Sequence, residues 1–248
     1  MQSIARAAEI LTCISDGVNS LSDIAEICHL GKSSAHRLLQ ALSERHLVTQ
    51  DPLSRKYYLG YLITSLITKP EITQQYLTIC ADDELRQLAD FSGETVSLGL
   101  MIALRYVNIR TYPSKYALQV IEIPRKMGSI YAGAAGRVLL SQLDDQELKR
   151  ALASLRLEPI TEYTTVDREK VLDAIKRARR QGYAISSNEL TVGSACIAAP
   201  IKDYALPAVV YIVGPESRLK PRTSEFLEKL LYCAERISYN LAKTLEKK

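Results

Sequence analysis

Apolar residues recur at Leu21, Ile24, Ala25 and Cys28, and again at Ala35, Leu38, Leu39 and Leu42. Both sets have the i, i+3, i+4, i+7 spacing that gathers one face of a helix into a core. The spacing predicts two short helices within Ser20–Val48, joined by a sharp turn at Cys28-His29-Leu30-Gly31-Lys32. Ser20 with Asp23 suits a capping box at the first helix start, and Gly31 is expected to take the backbone angles of the turn. Upstream, Ser3 to Ile14 forms a helix with Ile4, Ala7, Ala8, Leu11 and Ile14 on its packing face. That face also suits pairing with a second copy. Downstream, Leu47–Gln50 and Arg55–Leu59 read as strands on either side of the turn residues Asp51-Pro52-Leu53-Ser54. Three helices followed by such a hairpin make an all-α domain with a β-wing, a winged helix-turn-helix.

The face left over on the second of the paired helices is polar. It carries Lys32, Ser33, Ser34, His36, Arg37 and Gln40, whose donors, cations and amide are the groups that reach phosphates and base edges in a major groove. A polar helix face is also what water alone requires. The hairpin that follows favours the nucleic-acid reading, because Arg55, Lys56 and Tyr57 near its tip are placed to brace the backbone or minor groove. In a dimer, two such helices enter successive major grooves roughly 34 Å apart on a pseudo-palindromic site.

Beyond the hairpin, Leu62 to Thr68 predicts a short helix stopped at Lys69-Pro70, since proline cannot donate the N–H that a continuing helix needs. The expected organisation is residues 1–60 as the DNA-binding domain, 61–71 as a linker helix and 72–248 as a second domain. There a helix spans about Ile72 to Phe91, with Leu77, Leu85 and Leu88 inward. Strand-like alternation follows at Thr95–Met101, Arg105–Thr111 and Ala117–Ile121. A small-residue loop, Gly128–Ala135, opens a helix through Val138, Leu139 and Leu143. Asp144 caps a helix to about Ser154, and Asp167–Gln181 forms another that Gly182 ends. Three strands return at Tyr183–Ser187, Ala195–Ile201 and Ala208–Val213. Pro221 opens a last helix with Leu227, Leu230, Leu231, Ala234 and Leu241 on one face. Strands, helices, strands and a helix describe an α+β domain with a central antiparallel sheet and helices mainly on one side.

Composition narrows the class. With 47% hydrophobic and 24% charged residues over 248 positions, the chain is an ordinary globular one of two-domain length. The net charge of +4 permits nucleic-acid contact without requiring it, so placement decides: acids lie mostly on the first two helices, bases on the third helix and wing. No secretory signal and no span of roughly 20 apolar residues is present. The five cysteines are scattered, without a CxxC pair, which fits a reducing cytoplasm rather than a disulfide framework or zinc site. Cys13 and Cys28 read as small core residues.

The second domain offers little for catalysis. All three histidines, His29, His36 and His46, lie in the first domain, so a serine or cysteine nucleophile there has no imidazole base. No phosphate-binding or dinucleotide fingerprint is present, and neither cofactor nor metal is expected. Binding is better served. Ser129–Arg137 (SIYAGAAGR) places free amides at a helix N-terminus with no bulky side chain in the way, a ready anion site; tight helix–sheet packing uses the same composition. Glu189 either caps backbone amides or touches a ligand. Cys196, two residues after Ser194 on an apolar strand and on the same face, raises a rival in which a redox-sensing thiol replaces an organic effector.

Several pieces together carry a family likeness. In the first domain they are Arg6-Ala7-Ala8-Glu9-Ile10-Leu11, Asp23-Ile24-Ala25, Lys32-Ser33-Ser34 with His36-Arg37-Leu38-Leu39, and Tyr58-Leu59-Gly60. In the second they are Ala132–Leu140, Arg180-Gln181-Gly182-Tyr183-Ala184, and Glu189 followed by Gly193 and Cys196–Ile201. With these motifs, in this order, the chain resembles the isocitrate lyase regulator (IclR) family of transcription factors over nearly its full length. The resemblance implies a winged helix joined to a GAF-like effector domain, dimers or tetramers, and a small organic or aromatic acid as effector. Carried over by position, the implied effector contacts are the amides of Ala134 and Ala135, with Ser186, Ser194, Cys196, Tyr211 and Val213. Four positions depart from the pattern: Ser186 stands where an aspartate can occur, Tyr211 and Val213 where serines can, and Arg137 in place of a lysine. These departures imply a bulkier, partly apolar ligand.

Overall fold

The computed structural model describes residues 2–67, 74–120 and 129–245, in two compact units, Met1–Gln75 and Tyr76–Lys248. Of the expected linker, residues 68–71 lie outside the described part, as do Ile72, Ile121 and Gly128.

The first unit comprises α1 (Gln2–Ser15), α2 (Leu21–Ile27), α3 (Lys32–Glu44), the strands β1 (Val48–Gln50) and β2 (Tyr57–Leu59), and α4 (Tyr61–Ile67). Its core joins Ile10, Cys13 and Ile14 of α1 to Ile24, Cys28, Leu39, Leu42, Val48 and Tyr57. Of the expected inward face of α1, Ile14 is buried and Ala7 and Leu11 pack against the core, but its centre shifts to Ile10 and Cys13. Ile10 is fully buried, while Ile4 is 80% exposed and Ala8 also faces outward. The Ile10, Cys13, Ile14 set satisfies helical spacing equally well, and the helix pair beneath selects it. Ser20 caps α2, its hydroxyl accepting from the Asp23 amide at 3.2 Å. The left-handed residue in the following turn is His29 (φ 51), not Gly31, which is extended (φ −65, ψ 142) and is the N-cap of α3. The chain reverses one residue after α2 ends. There the His29 and Leu30 amides reach back to the carbonyls of Glu26 and Ala25 at 3.1 and 2.8 Å, a helix-terminating pattern.

In the second unit, α5 (Gln75–Ser92) precedes β3 (Thr95–Ile102) and β4 (Arg105–Tyr112). A 3₁₀ turn (Ser129–Tyr131) then leads into α6 (Gly133–Ser141), α7 (Asp145–Ser154) and α8 (Arg168–Gln181). The strands β5 (Ala184–Ser187), β6 (Ser194–Ile201) and β7 (Ala208–Pro215) follow, then α9 (Glu216–Leu219), a second 3₁₀ turn and α10 (Thr223–Leu245). The sheet runs β4-β3-β7-β6-β5, every neighbour antiparallel. Alternation along the strands sends side chains into two cores. Ala195, Ile197, Ala199 and Ile201 of β6 meet Leu77, Leu85 and Leu88 of α5 and Phe226, Leu230 and Ile237 of α10. Cys196 and Ala198 meet α6, α7 and α8 on the other face. Helices thus cover both faces of the sheet rather than mainly one.

Two further expectations change. Residues 117–120 form no strand: the Leu118 carbonyl takes Arg218 Nη2 at 2.8 Å and the Val120 carbonyl takes the Thr95 hydroxyl at 3.2 Å. Side-chain donors thus replace a ladder at both carbonyls. On α10 the buried row is Phe226, Leu230, Cys233, Ala234, Ile237 and Leu241, and Leu231 turns outward. Capping follows expectation at Asp144, which forms a capping box with Glu147, and at Gly182 in the left-handed region (φ 78), while Asp167, expected as the first helical residue, is the N-cap of α8.

Glycine is required where α6 crosses the turn before it: a Cβ on Gly136 would lie 1.8 Å from the carbonyl oxygen of Ile130. The predicted cost of Gly136→Ala is at least about 1–3 kcal/mol, because backbone must move on both sides of the contact. Urea unfolding followed by far-UV circular dichroism measures it, and an unchanged midpoint would contradict this packing.

Candidate functional site

The outward face of α3 is set by what its inward face buries. Ala35, Leu39 and Leu42 enter the core, leaving Lys32, Ser33, Ser34, His36, Arg37 and Gln40 exposed on the same helix. Every sequence-predicted residue of this helix therefore lies at the surface. In the wing, Arg55 and Lys56 are exposed, but Tyr57 is 4% exposed and sits in the core, so it is not a surface contact. The hairpin register explains the correction: Gln50 pairs with Tyr57 and Thr49 with Tyr58, and the pleat that brings Val48 and Tyr57 inward turns Tyr58 out to 43% exposure. The aromatic on the outer side of the wing is Tyr58.

Arg55 also departs from the expected strand. It occupies a left-handed turn position (φ 59), within a tip organised by Asp51, whose carboxylate accepts from the Leu53 and Ser54 amides at 3.3 and 3.0 Å and from the Ser54 hydroxyl. The bonds from Ser54, ahead of that from Leu53, hold the Asp51 carboxyl below its usual pKa. Between α3 and the hairpin lies a cleft of about 470 Å³ lined by His36, Gln40, Ser43, Thr49, Gln50 and Tyr61, among others. Ser43, Thr49 and Tyr61 carry no periodic signal. Only the fold brings them beside the polar face of α3.

In the second unit, the sheet assembles most of the implied effector residues beneath α6. Ser186 pairs with Cys196, and Cys196 with Val213, in one row across β5, β6 and β7. Tyr211 lies in the neighbouring row opposite Ala198 and Ser97. The Ala134 amide at the start of α6 donates to Ser186 Oγ at 2.9 Å, and Ala135 is fully buried. Tyr211 and Tyr106 bond hydroxyl to hydroxyl at 2.7 Å, their rings edge to face. Cys196 is buried among these groups. Ser194 stands apart in role, its hydroxyl donating to the Thr191 carbonyl at 2.6 Å in the β5–β6 turn.

The sequence left Glu189 open between a cap and a ligand contact, and the structure places it as a cap. Its Oε2 takes the Gly133 amide at 3.4 Å and meets Arg137 Nη2. The two side chains are 11% and 10% exposed. Thr161 and Thr164 hold the backbone carbonyl of Glu189 through their hydroxyls at 3.3 and 2.7 Å. Arg137 Nε is buried with no hydrogen-bond partner among the described residues. Gly133 (φ 76) approaches Leu190 closely, so that a Cβ would lie 2.9 Å from its Cδ1. A second buried acid, Glu94, pairs with Arg218 at 2.5 and 2.8 Å. Neither pairing had a sequence signal, because the partners are 52 and 124 residues apart. Among the described residues, no three His, Cys, Asp or Glu side chains converge as a metal ion would require. Nor is any described helix long and apolar enough to cross a membrane.

Removing one partner of a buried ion pair strands the other charge, at a cost of about 3–5 kcal/mol. Glu189→Ala is therefore predicted to destabilise the second unit by that amount, and Glu189→Gln, which keeps an acceptor for Gly133, by less. Denaturant unfolding of both variants checks this; a loss for the alanine variant no larger than that of an exposed-site substitution would mean the pair does not hold α6 in place.

Known proteins match this geometry. The family described as "Bacterial transcriptional regulator IclR C-terminal" matches residues 71–239, and "IclR helix-turn-helix domain" matches residues 3–52. The HTH-type transcriptional repressor AllR of Salmonella typhi is 31% identical, covering 88% of this chain and 81% of its own length. The crystal structure of the Thermotoga maritima IclR aligns with a TM-score of 0.63 at 25% identity, covering 97% and 99% of the two chains. An IclR homologue of Microbacterium hydrocarbonoxydans, solved in complex with 4-hydroxybenzoate, shares the fold at 19% identity, with a TM-score of 0.61 over 97% and 99%. With an outward polar face on α3, a wing beside it and both family signatures spanning the chain, this protein belongs to the IclR family of DNA-binding transcriptional regulators.

Proposed function

We propose that this regulator binds a pseudo-palindromic operator as a homodimer or homotetramer, and that a small organic molecule held in its second unit alters that binding. It acts by binding and not by catalysis, in the cytoplasm. The observation that carries the DNA half is the exposed row Lys32, Ser33, Ser34, His36, Arg37 and Gln40, presented opposite a buried Ala35, Leu39 and Leu42. These six residues contact the operator, Arg55 and Lys56 contact its backbone from the wing, and Tyr58 replaces Tyr57 as the wing aromatic.

The effector half rests on the residues gathered around the start of α6: the amides of Ala134 and Ala135, with Ser186, Cys196, Tyr211 and Val213; Ser194, held in the β5–β6 turn, lies at its margin. The 4-hydroxybenzoate complex of the Microbacterium relative supports a ligand with an aromatic body. The tyrosine pair supports the same class, since Tyr106 and Tyr211 bring two aromatic rings and two hydroxyls to the site. We therefore assign the effector to the aromatic or sugar acids in preference to two- or three-carbon acids. Cys196 shares one row with Ser186 and Val213 beneath α6, which favours its use in lining the effector site over the redox rival.

Arg37→Ala is predicted to weaken operator binding by about 1–3 kcal/mol if the guanidinium reads a base edge. Fluorescence anisotropy on a genomic fragment bound by the wild-type chain measures it, and unchanged affinity removes Arg37 from the contact set. For the effector, isothermal titration of the full chain is expected to show 4-hydroxybenzoate binding more tightly than glyoxylate or pyruvate. The reverse order would overturn the assignment of ligand class.

A further inference from the structure

Two thiols meet in the core of the DNA-reading unit. Cys13 projects from α1, Cys28 is the C-cap of α2, and their Sγ atoms lie 3.6 Å apart, in hydrogen-bonding contact. Both are free thiols. Core packing explains why two small apolar residues occupy these positions, but it does not require their sulfurs to touch. A disulfide needs an S–S separation of about 2.05 Å, so closure asks the two sulfurs to approach by about 1.5 Å.

We propose that Cys13 and Cys28 form a reversible disulfide that locks the helix-turn-helix in a conformation with weakened affinity for DNA. The inference rests on α3 being the DNA-reading helix. With a hydroperoxide as oxidant, one sulfur attacks the peroxide O–O bond, becoming a sulfenic acid as water or an alcohol leaves. The second sulfur displaces the sulfenic oxygen as water, closing the S–S bond. For hydrogen peroxide the sum is two thiols and one peroxide giving one disulfide and two waters; the two sulfurs supply the two electrons. A dithiol reverses the reaction by exchange.

The environment sets a threshold for the reaction. Burial first, then the bond to Cys13, pushes the Cys28 thiol up to about 11. The thiolate is therefore scarce near neutral pH, and the pair closes under sustained oxidant and not at resting levels. The cross-link acts where α3 is aimed: Cys28 is followed at once by His29 in its left-handed conformation (φ 51), then by Leu30 and the N-cap Gly31. Drawing Cys28 toward α1 shifts the turn that fixes the direction of the recognition helix. Switches of this kind commonly change affinity about 5- to 150-fold.

The test treats the full chain with hydrogen peroxide and reads two quantities. Peptide mass mapping is expected to find the Cys13 and Cys28 peptides joined, with the loss of two hydrogens. Anisotropy on a bound genomic fragment is expected to show affinity lowered about tenfold and restored by dithiothreitol. Cys13→Ser should keep its affinity through the same treatment, and Cys13→Ala serves if the serine disturbs the core. The proposal is overturned if Cys13 and Cys28 stay unjoined at a peroxide dose that oxidises the half-buried Cys80, or if the joined chain binds DNA as tightly as the reduced one. Mass mapping needs no DNA, so a failure of the DNA-reading assignment is distinguishable from a failure of the cross-link.

Discussion

The burial of three side chains, Ala35, Leu39 and Leu42, fixes which way α3 faces. Each leucine withdrawn from water contributes about 1.5–3 kcal/mol, and rotating the helix by one position would expose one of them while burying Arg37 or Gln40. A buried, unpaired guanidinium costs several kcal/mol, so the two penalties act in the same direction. The polar row consequently faces solvent without any contact of its own to hold it there. Its orientation is paid for by the hydrophobic core, and its side chains remain available for phosphates and base edges. The wing obeys the same rule, since Tyr57 and Val48 enter that core and thereby present Tyr58, Arg55 and Lys56.

The second unit solves a different problem. Its sheet is covered on both faces, and the start of α6 packs tightly on the turn before it at Gly136, against the Ile130 carbonyl, and on the β5–β6 loop at Gly133, against Leu190. Amides packed that tightly are donors that need acceptors. Ser186 satisfies Ala134, and Glu189 satisfies Gly133 while neutralising Arg137. The polar partners that hold the start of α6 are therefore set by the packing.

Much of this was legible in the chain, and the exceptions share a cause. Helix existence, the cap at Asp144, the helix end at Gly182 and the outward row on α3 depend on residues within a turn or two of each other. The errors arose where two faces were locally equivalent and tertiary packing chose between them. The inward face of α1 passes through Ile10 rather than Ile4, that of α10 through Cys233 rather than Leu231, and the hairpin buries Tyr57 instead of Tyr58. His29 took the left-handed position expected of Gly31 because the turn begins one residue after α2 ends, whichever residue stands there. In the candidate effector site, the individual residues could be named from family motifs, but their connections could not. The pairs Arg137–Glu189, Glu94–Arg218 and Tyr106–Tyr211 join positions between which no local pattern runs.

The central claim is that α3 and the wing together form the surface that meets DNA, and lysine protection tests it most directly. Limited acetylation of the full chain, with and without a bound genomic fragment, compares Lys32 and Lys56 with the exposed Lys149 and Lys176 of the second unit. The account predicts that DNA shields Lys32 and Lys56 while Lys149 and Lys176 react as before. If Lys32 and Lys56 stayed fully reactive on saturated DNA, another surface would be reading the operator.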